Sequence, residues 1–279
     1  MKKIKISFLF LFVLYSNMSL FAQFEVEFNK IEGSLEKSDK YQKNFGRYDG
    51  YEIQLYEGEE VNFLAYSDKF SPRLVFVNPE GKVFKEALTE KMNLATIITK
   101  IPVSGEWILY VVGDSASLGS YTLQLAVASA NSITLPQNSD FCTTLKFLLA
   151  HSKAYFLLLE TPINSKQSFV KLNGSVDAFI DENDGSYIAK FYEGNNLKEA
   201  EKIFQELISS IKNCLDKNWK MQSKDWQKNE DYKIKGTLIS EIKSDVTRYI
   251  QISLIDFKNS RQKFMGDYVV QVEINRKPD

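Results

Sequence analysis

Histidine occurs once in 279 residues, at position 151, and this scarcity removes whole classes of chemistry. Zincin motifs, histidine-rich metal sites and two-histidine clusters are all excluded. A serine or cysteine nucleophile would have to use His151 as its base. No Gly-x-Ser-x-Gly elbow is present, and the residue sits inside the helical stretch Leu149-Ala150-His151-Ser152-Lys153, where it reads as a partly exposed helical side chain. Glycine-rich phosphate loops are missing. No Lys/Arg block forms the electrostatic footprint of a nucleic-acid binder, since 35 basic and 36 acidic residues are interspersed along the chain. Only two cysteines occur, and only one long apolar run, which lies at the amino terminus. The sequence therefore assigns no catalytic residue, no metal ligand and no cofactor. Chemistry by paired carboxylates stays open, because acidic residues are plentiful and their separation in space is not written in the sequence.

The chain opens with Met1-Lys2-Lys3-Ile4-Lys5, follows with an apolar run from Phe8 to Tyr15, and continues through Ser16-Asn17-Met18-Ser19 to Leu20-Phe21-Ala22-Gln23. Basic, apolar and small-residue regions in that order predict a secretory signal peptide over residues 1–22, cleaved between Ala22 and Gln23. The run is about half of the ~20 residues that a permanent membrane helix needs. No cysteine near its end offers a lipid anchor. We therefore expect an exported protein, periplasmic or extracellular, with no membrane span after cleavage and no nucleic-acid partner. Apolar residues make up 44% of the chain, enough to bury real cores, and the length favours two domains.

From Phe24 to Val127 short runs alternate apolar and polar residues, the period of half-buried strands. Phe24, Val26 and Phe28 form one run, Tyr51, Ile53 and Leu55 a second, and Val61, Phe63 and Ala65 a third. Further runs cover Arg73 to Val77, Ala95 to Thr99, Trp107 to Val112 and Tyr121 to Val127, with Asn78-Pro79-Glu80-Gly81 as a strong turn. This pattern predicts an all-β, jelly-roll-like sandwich over residues 24–128. The strand at Trp107 is apolar on both sides, so both should be covered, the second by ordinary sandwich core or the other domain, with a partner surface as the remaining option. Ser67-Asp68 is the nearest approach to a calcium site and offers one carboxylate, too few for a hard cation. Tyr56 and Tyr66 lie on the polar sides of their strands and read as exposed aromatics that could stack on a sugar.

Several of these segments carry a resemblance: Ile31-Glu32-Gly33-Ser34-Leu35, Asp49-Gly50-Tyr51-Glu52-Ile53-Gln54-Leu55, Pro72-Arg73-Leu74-Val75-Phe76, Asn78-Pro79-Glu80-Gly81, Pro102-Val103-Ser104-Gly105-Glu106-Trp107 and Gly119-Ser120-Tyr121-Thr122-Leu123. In order and spacing, over residues 31–127, they resemble the bacterial pre-peptidase carboxy-terminal domain. The resemblance implies a secreted jelly-roll-like accessory module, of a kind often attached to peptidases, some members of which bind calcium, collagen or carbohydrate.

A polar stretch over residues 129–139 reads as a linker, and helical periodicity follows. Phe141, Leu145, Leu148, Leu149, Phe156 and Leu159 predict one helix behind Ser139 or Asp140 as its cap. Ala200, Ile203, Phe204, Leu207, Ile208, Ile211, Cys214 and Leu215 predict a second, with Asn196 and Glu199 as a capping box. Strands are expected at Phe169 to Ile180, Tyr187 to Tyr192, Tyr232 to Ile242, Arg248 to Phe257 and Tyr268 to Ile274. Residues 140–279 thus read as an α+β domain, two helices on an antiparallel sheet. Asp181-Glu182-Asn183-Asp184-Gly185 fails the spacing of a calcium loop and reads as a tight turn. Antiparallel helices would bring Cys142 and Cys214 to one end, and an oxidising compartment would favour a disulfide between them. The sequence as a whole reads as an exported, non-catalytic binding or accessory protein acting on a protein or glycan. The alternatives are a carboxylate hydrolase or peptidase accessory factor, and a periplasmic chaperone-like peptide binder.

Overall fold

The computed structural model describes residues 3–6, 24–89, 93–159, 170–181, 184–229, 231–242, 247–260 and 266–276. The expected cleavage point at Ala22 and Gln23, and Glu182 and Asn183 of the acidic turn, lie outside the described residues. The described residues are rich in strands, with antiparallel sheets and two α-helices among them. Two compact units are distinguishable, one holding Glu25–Ile133 and the other Thr134–Asp279.

In the first unit the strands are β1 (Lys3–Ile6), β2 (Val26–Leu35), β3 (Tyr41–Gln42), β4 (Gly46–Leu55), β5 (Glu60–Tyr66), β6 (Arg73–Val77), β7 (Val83–Ala87), β8 (Leu94–Lys100), β9 (Gly105–Gly113) and β10 (Gly119–Ala128). One sheet runs β1-β4-β9-β6-β7, with β3 beside β4; the other runs β2-β10-β5-β8. Neighbours are antiparallel except β1, which lies parallel to β4 with Lys3 opposite Gly50 and Ile6 opposite Ile53. That strand falls within the expected leader, so cleavage after Ala22 would bare this part of the β4 edge. The short strands β3 and β7 escape the sequence pattern because their residues are almost all exposed and leave no alternation to read.

Strand alternation accounts for the core. Tyr51, Ile53 and Leu55 on β4, Val61, Phe63 and Ala65 on β5, and Trp107, Leu109 and Val111 on β9 all point between the sheets and are fully buried. Trp107 stacks on Phe76 at 4.7 Å between ring centres. A polar link also crosses this core, where the Tyr51 and Tyr121 hydroxyls hydrogen-bond each other and Tyr121 donates to Asp49 Oδ2 at 2.6 Å. Burial pushes the Tyr51 hydroxyl up to about 12 and raises Tyr121 further, so both phenols stay protonated and can donate. Gly33 makes room for this link, since a Cβ there would stand 2.3 Å from the Tyr121 ring. The other side of β9 is covered within the unit: Ile108, Tyr110 and Val112 pack with Val75, Val77, Phe45 and Tyr48.

The second unit contains α1 (Phe141–Ser152), β11 (Asp177–Ile180), β12 (Tyr187–Gly194), α2 (Leu197–Cys214), β13 (Trp219–Lys228), β14 (Lys233–Glu241), β15 (Arg248–Asp256) and β16 (Tyr268–Arg276). Its sheet runs β11-β12-β16-β15-β14-β13, antiparallel throughout. Ile239, Ile250, Ile252, Leu254, Val270, Val272 and Ile274 face the helices and form a second core with Leu145, Leu148, Phe204, Leu207 and Ile211. Asp140 caps α1 by accepting from Thr143 N–H at 2.7 Å. Helix α1 is shorter than its periodicity predicts: Tyr155 and Phe156 take positive φ values of 49° and 57°, which an α-helix does not tolerate, so the chain turns back after Ser152. Asn196 caps α2, accepting from Lys198 N–H at 3.1 Å and Glu199 N–H at 3.4 Å. Its own N–H donates to the Tyr192 hydroxyl at 3.0 Å, a role that the capping box assigns to Glu199. Of the strand expected from Phe169, Phe169 itself lies outside the described residues, and from Val170 on the strand is confined to Asp177–Ile180, preceded by a turn in which Ser175 N–H donates to Leu172 O at 2.9 Å. Strand β13 is absent from the sequence reading because Lys220, Gln222, Lys224 and Gln227 mask any apolar period on a sheet edge.

Candidate functional site

Four separate segments of the first unit converge on a groove of about 480 Å³. Strand β3 and the turn after it supply Tyr41, Lys43 and Phe45; β6 supplies Arg73; the segment after β7 supplies Leu88; and the end of β9 leads to Asp114. Glycine forms the hinge of this turn for a physical reason. Gly46 has φ of 109°, and a Cβ on it would lie 2.1 Å from the Gly113 carbonyl oxygen across the β4–β9 pair. Any other residue would push the turn off the sheet.

Within the groove Arg73 is held at three points. Its Nη1 pairs with Glu86 at 2.9 Å, its Nη2 donates to the Phe45 carbonyl, and its guanidinium lies over the Phe45 ring at 5.2 Å. Phe45, Tyr48 and Tyr110 meet edge to face in a mutual triangle, with ring centres 5.2, 5.3 and 5.6 Å apart. Gly50 lies under Tyr110, where a Cβ would approach the ring to 2.8 Å. At the far wall Asp114 accepts from the Ser117 hydroxyl and from Ala116 N–H, each at 2.8 Å, and these bonds hold its carboxyl below the usual range, ionised at neutral pH. Tyr41 and Leu88 are 49% and 64% exposed. The lining thus offers a fixed cation, an ionised carboxylate and free apolar surface, an arrangement suited to holding a ligand by charge and stacking. None of these residues stands out in the sequence, because no two of the supplying segments are linked by a motif.

The residues singled out from sequence fall elsewhere. Asp68 pairs with Lys69 at 3.1 Å on the surface, while Ser67 turns inward and donates to Ser120 O at 2.8 Å. Tyr56 and Tyr66 are both exposed, but Tyr56 stands in the turn before β5 and Tyr66 at the far end of that strand, whose seven residues span about 20 Å, so they form no common platform. His151 is a correction: it is completely buried rather than partly exposed, packed on Phe147 with ring centres 4.4 Å apart, because α1 is enclosed on nearly all sides from Thr144 to Ser152. Cys142 and Cys214 are brought together as a disulfide, with Cα atoms 5.0 Å apart. Among the described residues no group of three or more His, Cys, Asp or Glu side chains could hold a metal ion, and no helix is long and apolar enough to cross a membrane.

One carboxyl in the second unit titrates above its ordinary range. Glu273 accepts from the Tyr249 hydroxyl at 3.0 Å; burial raises its titration, the hydrogen bond opposes the rise, and the charges of Asp184 and Asp181 add to it.

No protein-family profile and no curated protein matches the chain. Solved structures show distant likenesses. The pre-peptidase C-terminal domain of collagenase from Bacillus anthracis is 12% identical, with a TM-score of 0.32 over 44% of this chain and 94% of that one. The periplasmic inhibitor of g-type lysozyme, PliG, from Aeromonas hydrophila is 10% identical, with a TM-score of 0.29 over 45% of this chain and 97% of that one. A protein of Bacillus endospore appendages, described as disulfide-linked pili, is 9% identical, with a TM-score of 0.27 over 41% and 98%. Similarities this distant carry no argument about function.

Proposed function

We propose that this chain is an exported binding or accessory protein, active in a periplasm or outside the cell, that engages a protein or glycan through the groove at Tyr41, Arg73 and Asp114. In this reading residues 1–22 are removed on export, residues 24–128 form a jelly-roll-like module of the pre-peptidase carboxy-terminal kind, and residues 140–279 form an α+β domain. One observation carries the proposal: the groove presents exposed Tyr41 and Leu88 beside an anchored Arg73 and an ionised Asp114. Side chains so placed recognise a ligand through contact area and charge, and the single histidine lies in the other unit, out of the groove. The order of the motifs between Ile31 and Leu123 supports the same view.

The test compares the wild-type chain with Tyr41→Ala and Leu88→Asp in capture from envelope extracts and in binding to solubilised cell-wall glycan. Both side chains are exposed, so neither change should disturb folding. Loss of a specific captured species in both variants is the expected result. Equal capture by all three proteins would overturn the assignment of the groove.

A second reading, a carboxylate-based hydrolase, is favoured by Glu273, whose raised titration beside Asp184 and Asp181 is the pattern of a general acid next to a charged partner. Hydrolysis of a chromogenic glycoside panel, abolished by Glu273→Gln, would establish it in place of the binding reading.

A further inference from the structure

The sheet of the second unit packs its helices on one side only, and on the face turned away from them a cavity of about 170 Å³ opens over β13, β14 and β15. Its lining residues are Gln222, Lys224, Gln227, Gln251 and Thr237 around Ile234, Gly236 and Leu238, and the Gln251 amide also donates to the Ser253 hydroxyl at 3.2 Å. Gly236 is the informative residue. Glycine inside a strand weakens it, and such a residue commonly permits a left-handed backbone or a close approach of another group. Neither applies to Gly236: its φ lies outside the left-handed region, and a Cβ would meet only the Ile252 carbonyl oxygen, at an ordinary 3.6 Å. What the missing side chain does leave is the open floor of the cavity. Beside it the β13–β14 register shifts between Lys224 and Gln227, so that Lys224 stands opposite Gly236 and Gln227 opposite Ile234. A bulge of this kind re-aims the side chains flanking it. The next rows place Gln222 opposite Leu238 and Leu238 opposite Gln251, which gathers three glutamines and one lysine around a small apolar floor.

We propose that this cavity is a binding site for one carboxylate-bearing sugar ring, separate from the groove of the first unit and independent of that reading. Amide side chains both donate and accept, as ring hydroxyls require. Ile234 and Leu238 supply apolar surface for the C–H face of a ring. Among the described residues of the lining Lys224 is the one that carries a charge, and none of them is a carboxylate, so it selects an anion.

The experiment titrates the full chain with sodium D-glucuronate, with D-glucose as the uncharged ring and with acetate as the carboxylate without a ring, followed by ligand-observed NMR. Saturable glucuronate binding at least about tenfold tighter than either control is expected, the factor that a charge-assisted hydrogen bond supplies. Lys224→Gln should reduce glucuronate to the level of glucose. Gly236→Val should abolish binding while leaving the melting temperature unchanged or higher, because a β-branched residue suits a strand and the space is open. Absence of saturable glucuronate binding overturns the proposal, as does acetate binding as tightly as glucuronate. Full binding by the Lys224→Gln variant, which is exposed and certain to be testable should Gly236→Val misfold, overturns it as well.

Discussion

Glu59 shows how one buried side chain can tie stability to pH. It is 3% exposed, accepts from Tyr56 N–H at 2.8 Å, and burial pushes its carboxyl up to about 7. The folded state therefore holds a proton that the unfolded chain releases near pH 4.5, so this contribution to stability is full below 4.5 and is lost as pH rises through 7, by about 3 kcal/mol. Glu59→Gln keeps the acceptor and removes the charge. We expect its melting temperature to match the wild type at pH 4 and exceed it at pH 8, which thermal scans at the two pH values will check. Tyr121 makes a different kind of contribution. Tyr121→Phe deletes the donor to Asp49 and the partner of Tyr51 inside a packed core, and should cost about 1–3 kcal/mol in chemical denaturation. Neither effect is legible in the sequence, where Glu59 is part of an ordinary Glu57-Gly58-Glu59 turn and Tyr121 one more apolar strand residue.

At the scale of elements, capping and alternation were readable and edges were not. Asn196 sits where a cap is expected and binds the N–H groups of Lys198 and Glu199. Asn196→Ala should destabilise the second unit by about 1 kcal/mol, measured as a shift in its denaturation midpoint. The strands of the two cores announce themselves because one face of each must be apolar. Edge strands carry no such demand: β13, with its lysines and glutamines, protects a sheet edge from unwanted pairing and so hides its period. The groove shares this invisibility, because Tyr41, Arg73, Leu88 and Asp114 come from segments up to 73 positions apart and meet only once β4, β6 and β9 have paired.

Across the whole molecule, covalent events matter most. The bridge between Cys142 and Cys214 spans a separation of 72 residues, and closing a loop of that size restrains the unfolded chain by roughly 4 kcal/mol. Intact mass of the purified protein should rise by two protons on reduction, and the reduced second unit should melt earlier while the first unit's transition stays in place. Export is testable at the same scale: amino-terminal sequencing of protein recovered from outside the cytoplasm should begin at Gln23. Recovery with Met1 in place would remove the basis for an oxidised Cys142–Cys214 pair.

The amino-acid order by itself determined where apolar side chains recur, and with that a strand-rich first half, two helices with strands between and after them in the second, and caps at Ser139 or Asp140 and at Asn196. Those are local properties: period, propensity and hydrogen bonding within a few residues settle them. Only the tertiary structure decided that His151 is enclosed, that Glu59 and Glu273 titrate high, and that a groove and a glycine-floored cavity exist. Each depends on which distant segments exclude water from a given atom, and burial of that kind is a property of packing that no short window of sequence contains.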